Sequence, residues 1–159
     1  MVKSFGDLHV ELLSLQVVNG NQYLLTMSIA NPSQKSSLWV GLSCDMGNNL
    51  KAKLTDANGF EFVSDWSCVS GIDYTFFAQY GYQGAGFYKA TEIRPNDSIT
   101  ATVKFISRVN RTASAGQCSL QMEFLSGHDF SGGFGHCTAQ NLVCNIEAED
   151  RTEDSKQVN

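Results

Sequence analysis

The chain has 159 residues, a length that suits one domain and buries roughly 70% of the surface its unfolded form exposes. Apolar residues make up 42% and charged residues 17%, too apolar and too sparsely charged for a disordered chain. The net charge of −5 excludes a broad cationic surface, so no nucleic-acid partner is expected, and no stretch reaches the roughly 18 apolar residues of a membrane span.

The N-terminal Met-Val-Lys-Ser-Phe-Gly-Asp lacks the apolar core of a signal peptide. That leaves a cytosolic protein or a secreted one without its signal. Residues 9–18 and 22–31 read as two strands joined by Asn19-Gly20-Asn21, whose Asn and Gly tolerate the positive φ of a tight hairpin. Leu38, Val40, Leu42 and Cys44 alternate with Trp39, Gly41 and Ser43. Residues 51–56 and 60–63 flank the turn Asp56-Ala57-Asn58-Gly59, and Arg94-Pro95-Asn96-Asp97 turns into the next strand. Three later segments alternate most cleanly: Ile99, Ala101, Val103 and Phe105; Cys118, Leu120, Met122 and Phe124; and Leu142, Cys144, Ile146 and Ala148. Period-two alternation marks strands with one buried face, whereas apolar residues nowhere recur at helical spacing for a dozen residues. The pattern predicts an all-β chain of about eight or nine strands, a sandwich or a barrel. The domain spans residues 1–149. Residues 150–159, few of them apolar, read as an acidic, disordered tail.

Residues 65–90 form a long insert. Within it Tyr74, Phe76, Phe77, Tyr80, Tyr82, Phe87 and Tyr88 crowd together with Gly81, Gly84 and Gly86 between them. Aromatic rings carry large contact area, and Tyr adds a polar tip, so these seven are the candidate partner-binding residues, facing a protein or, by stacking, a glycan. A cap over one end of the fold is the competing reading of the same rings.

Ser126 to Cys137 reads as a glycine-rich loop with His128, Asp129, His136 and Cys137 as conceivable zinc ligands. The spacing matches no rigid zinc motif, so neither a metal nor any other cofactor is expected. There is no Gly-x-Ser-x-Gly elbow, and Asp65 and Asp73 are not singled out as a carboxylate pair, so no catalytic residue is assigned and the chain is read as a non-enzyme. A hairpin turn explains Asp56-x-Asn58-Gly59 without calcium.

Three stretches together resemble a known family: Ile-Ala-Asn-Pro (29–32), Lys-Leu-Thr-Asp-Ala-Asn-Gly-Phe-Glu-Phe (53–62) and Glu-Ile-Arg-Pro-Asn-Asp-Ser-Ile-Thr-Ala-Thr-Val-Lys-Phe (92–105). They are similar to the immunoglobulin-like domains of bacterial secreted proteins and lipoproteins, over roughly residues 8–148. Asn96 stands where that pattern prefers Gly, and the 65–90 insert is a further departure. An antibody-type domain is not indicated, because residues 22–31 hold no Cys and Trp39 lies off the apolar phase. The resemblance implies an immunoglobulin-like two-sheet antiparallel sandwich, secreted or periplasmic, acting as a non-catalytic module that contacts another protein. The alternatives are a carbohydrate-binding module and a structural subunit of a surface assembly that self-associates. Secretion would favour a disulfide from Cys144 to Cys118 or Cys137, then Cys44 to Cys68, with an odd fifth thiol left over.

Overall fold

The computed structural model describes residues 2–5, 7–45, 47–76, 78–79, 85–87, 89–131 and 134–150. Its strands are β1 (Val2–Phe5), β2 (Leu8–Val18), β3 (Gln22–Ala30), β4 (Leu38–Cys44), β5 (Asn49–Thr55) and β6 (Glu61–Asp65). After a 3-10 turn at Trp66–Cys68 come β7 (Val69–Ser70), β8 (Tyr74–Phe76), β9 (Ala78–Gln79), β10 (Ala85–Phe87) and β11 (Thr91–Ile93). The last three are the longer β12 (Ser98–Ile106), β13 (Gly116–Ser131) and β14 (Phe134–Asp150).

Eight strands close into a barrel in the order β2–β3–β12–β6–β5–β4–β13–β14, and β14 returns to β2 through a parallel ladder, Ala148 to Leu15, Glu149 to Gln16 and Asp150 to Val17. The expected immunoglobulin-like two-sheet sandwich is therefore corrected: the chain is all-β, but one continuous sheet curls round and covers its own buried face. Alternation marks which side chains are buried and is silent on what covers them, so it fits both arrangements equally. Eight strands give an interior that side chains alone can fill. Tyr23, Phe62, Phe105 and Phe124 fill it here, with Tyr23 and Phe62 edge-to-face at 4.8 Å between centroids.

β2 shows how sequence shapes the wall. Leu8, Val10 and Leu12 point inward on one phase, and Leu15 and Val17 point inward on the other. An irregularity in the pairing with β3 between Leu12 and Ser14 takes up the extra residue, and Leu13 is left 51% exposed. Asn19 and Gly20 adopt the expected positive φ of 57° and 70° in the turn that follows. Asn96 takes φ 60°, and its N–H donates to the carbonyls of Asn31 and Ser33.

The other strands extend the barrel. β1 pairs with β2, β7 with β12, β8 and β11 with β4, and β10 joins the far end of β14 and carries β9. Residues 126–137, expected to be a loop, are mostly strand. β13 and β14 continue as a long hairpin to Ser131 and Phe134, with a pairing irregularity between Ser126 and Asp129.

Candidate functional site

The aromatic insert is only partly within the described residues. Tyr74 and Phe76 lie on β8, which runs parallel to β4 with Tyr74 opposite Leu42 and Phe76 opposite Cys44. Phe87 lies on β10 opposite Gly135 of β14. Phe77, Tyr80, Tyr82 and Tyr88 fall outside the described residues. Tyr74 is half-buried against the core, and its ring is already engaged. The Trp66 ring lies 6.3 Å away at 43°, and the Lys89 ammonium sits 4.6 Å from its centroid. Lys89 also reaches Asp73 at 3.9 Å, and Asp73 accepts a hydrogen bond from the Thr91 hydroxyl at 3.0 Å. This cluster fastens the base of the insert to β11.

The hairpin histidine is engaged elsewhere too. His128 Nε2 meets Asp7 Oδ2 at 2.5 Å, while its Nδ1 meets the Ser37 carbonyl at 2.8 Å. Both partners are acceptors, so the ring holds this place best as an imidazolium donating from both nitrogens. Burial lowers its pKa, but the hydrogen bonds to Ser37 and Asp7 and the Asp7 charge outweigh it, leaving the value above the ordinary 6.5. His128 thereby clasps the β1–β2 corner, the segment before β4 and the β13 hairpin together. Asp129 pairs with His136 across that hairpin. Among the described residues no group of three or more His, Cys, Asp or Glu is gathered as a metal site.

All five cysteines are free thiols, which corrects the disulfide expectation. Cys137 and Cys144 lie on one extended strand seven residues apart, about 23 Å at the usual rise. Cys118 faces Ile146 while Cys144 faces Leu120, a diagonal placement about 7–8 Å apart, beyond disulfide reach. Cys44 is buried in β4, whereas Cys68 ends the 3-10 turn half-buried. Burial, with the Glu123 charge adding, pushes the Cys137 thiol up to about 11, so it stays protonated at neutral pH.

The feature that sequence reasoning missed is the outer edge of β14. One edge of this strand bonds to β13 along its length. The other bonds to β10 at 135–136 and to β2 at 148–150. Between those points, residues 137–147 have no ladder partner on that edge among the described residues. β2 has moved away, since β1 covers its matching edge over residues 8–11. Where the two strands part lies a cleft of about 290 Å³, walled by residues 12–15 on one side and by Asn145, Ile146, Glu147 and Glu149 on the other. Natural edge strands are usually guarded by charge, proline or a bulge. Residues 138–146, Thr-Ala-Gln-Asn-Leu-Val-Cys-Asn-Ile, carry no charged residue, no Pro and no Gly, and the pairing with β13 is unbroken there. That uncharged run was visible in the sequence. Its exposure on an edge was not.

No protein-family model matches the chain, and no curated protein matches it. Solved structures do. The CssB subunit of enterotoxigenic Escherichia coli colonization factor CS6, complemented with a donor strand from the CssA subunit, aligns with TM-score 0.51 and 12% identity, over 88% of this chain and 97% of that one. The GAE domain of GGA2p from Saccharomyces cerevisiae aligns with TM-score 0.46 and 9% identity, over 92% and 96%. AggA, the major subunit of aggregative adherence fimbriae type I from Escherichia coli, aligns with TM-score 0.45 and 12% identity, over 90% and 93%. At such identities the likeness is one of general β fold, and it singles out no family.

Proposed function

We propose that the chain is a non-catalytic structural subunit of an extracellular or periplasmic surface assembly, joined to a neighbouring copy by an extended segment that docks on the outer edge of β14. The edge over residues 137–147, unguarded by charge across 138–146, carries this reading. Every second residue along it turns both its N–H and its C=O outward, so an added strand gains roughly ten hydrogen bonds, each worth about 1 kcal/mol net. Strand addition of this kind draws affinity from the backbone and specificity from side-chain pockets. Leu13, half exposed, and the partly buried Ile146 give the adjoining cleft apolar surface, and Glu147 and Glu149 give it an acidic rim. An incoming strand that alternates apolar side chains and ends in a basic one suits that surface. The donor-strand-complemented CssB subunit, whose β fold is similar, supports the reading by example.

Sedimentation velocity over a concentration series, with hydrogen exchange on the same samples, tests it. The wild-type chain is expected to form larger species as its outward amides within 137–147 become protected. Asn141→Lys with Asn145→Lys, both at exposed positions of the edge strand, is expected to keep the chain monomeric and folded. A wild-type chain that stays monomeric throughout, with those amides already protected, overturns the proposal.

A further inference from the structure

We infer that the end of the barrel formed by the 56–60 turn and the 107–115 loop is a binding site for a carboxylate-bearing sugar, with Arg111 as the group that receives the carboxylate. The site shares no residue with the β14 edge and stands or falls separately from the assembly reading.

The guanidinium of Arg111 lies over the Phe60 ring, its Cζ 3.7 Å from the centroid. Among the described residues no carboxylate comes within ion-pair distance of it. A guanidinium stacked on an aromatic face keeps its rim of N–H donors free in the ring plane, and that fork matches a carboxylate with two parallel hydrogen bonds. In a chain of net charge −5, such a cation set on an otherwise acidic molecule is a local attractor for an anion.

The surroundings select a sugar over an acidic peptide. Arg111 opens onto a cleft of about 580 Å³ whose other lining groups include the amides of Asn58 and Asn110 and the hydroxyls of Thr112 and Ser114. Side-chain amides and hydroxyls are the partners that a polyhydroxylated ring requires, each able to donate and accept. Val109, 69% exposed, and the exposed part of Phe60 add a small apolar surface for the C–H face of a pyranose.

Both walls are held before any ligand arrives. Asp56 Oδ1 accepts the N–H groups of Asn58 and Phe60, each at 2.9 Å, which fixes the turn that carries the ring. On the opposite wall the Tyr23 hydroxyl donates to the Ser114 carbonyl at 2.9 Å and accepts the Ser114 N–H at 3.0 Å. The neighbouring Ala113 N–H donates to the Gly20 carbonyl at 2.9 Å. A preformed cleft spares the ordering cost that weakens binding to loose loops.

The test is an NMR titration of the full chain with N-acetylneuraminic acid and with glucuronic acid, beside N-acetylglucosamine, acetate and a short poly-glutamate peptide. At least one acidic sugar is expected to shift the amides of 56–60 and 107–115 with a dissociation constant on the order of 1 mM. Arg111→Gln is expected to weaken it by about tenfold or more, and Arg111→Lys by less, since lysine keeps the charge but loses the fork. Arg111 is exposed, so these variants fold, and an unchanged amide spectrum elsewhere checks it. Which acid binds identifies the ligand's source. The inference is overturned if neither acid shifts these loops, if N-acetylglucosamine, acetate or the peptide binds as well as the acids, or if Arg111→Gln leaves the titration unchanged.

Discussion

Two seams of the same barrel are sealed very differently. β3 and β12 hold nine consecutive register pairs, from Ser98 opposite Ala30 to Ile106 opposite Gln22. β2 and β14 share three, all at one end, and then part. The first seam is antiparallel and zipped along its whole length. The second is parallel, which makes its pairing slightly weaker per residue, and it joins strands from opposite ends of the sequence. A barrel closed this way has a strong side and a joint, and the joint is where backbone bonding capacity is left over.

Core truncations measure that contrast most directly. Phe105, fully buried on the sealed side, is expected to cost about 3–5 kcal/mol when changed to Ala. Ile146, only partly buried beside the joint, is expected to cost about 1 kcal/mol by the same change. Urea unfolding of the two variants reads both numbers, and equal losses would mean that the seams are not distinct.

A smaller effect is expected one layer out on the sealed side. Tyr23→Phe leaves the ring packed against Phe62 but removes the hydroxyl that serves both backbone groups of Ser114. Leaving part-buried backbone groups unpartnered costs about 1–3 kcal/mol. The urea midpoint is expected to fall accordingly, and the amides of 107–115 to exchange faster, while exchange along 137–147 stays as it was. Loosening that spreads to the β14 edge would show that the two sides are coupled after all.

The sealed side was the part most legible in the sequence. Ile99 to Phe105 and Cys118 to Phe124 alternate without interruption; the first strand matches the predicted one, and the second contains the predicted segment but runs on to Ser131. Closure was not legible, because a pattern that reports burial residue by residue contains no term for which strand lies beside which. The same limit hid the candidate site. Leu142 to Ala148 read as an ordinary alternating strand, and only the ladder showed that one edge of residues 138–146 has no neighbour among the described residues. The glycine-rich appearance of residues 126–137 was misleading for a different reason. A hairpin bonded on both sides tolerates glycines that an isolated strand would not, and β10 and β4 supply those bonds. The Arg111–Phe60 stack joins residues more than fifty positions apart, and no local signal brings them together.

The smallest expected effect belongs to the joint and depends on pH. His128 ties the Asp7 corner, where β1 turns into β2, to Ser37 and to the β13 hairpin. Of the groups packed against its ring, Asp7 is the charged one, while Ser36 and Ser37 are neutral. Since the folded pKa lies above the ordinary imidazole value, the folded state holds the proton more tightly than the unfolded chain does. The clasp therefore contributes its full share below about pH 6.5 and loses it as pH rises through the elevated folded value. His128→Asn removes the titrating group while keeping a polar side chain. Unfolding curves for wild type and variant are expected to differ most at about pH 6 and to converge at about pH 9, with the β1–β2 amides exchanging faster in the variant only at the lower pH. A constant offset between the two proteins across that range would reduce His128 to an ordinary surface contact and leave the joint without a pH-sensitive fastening.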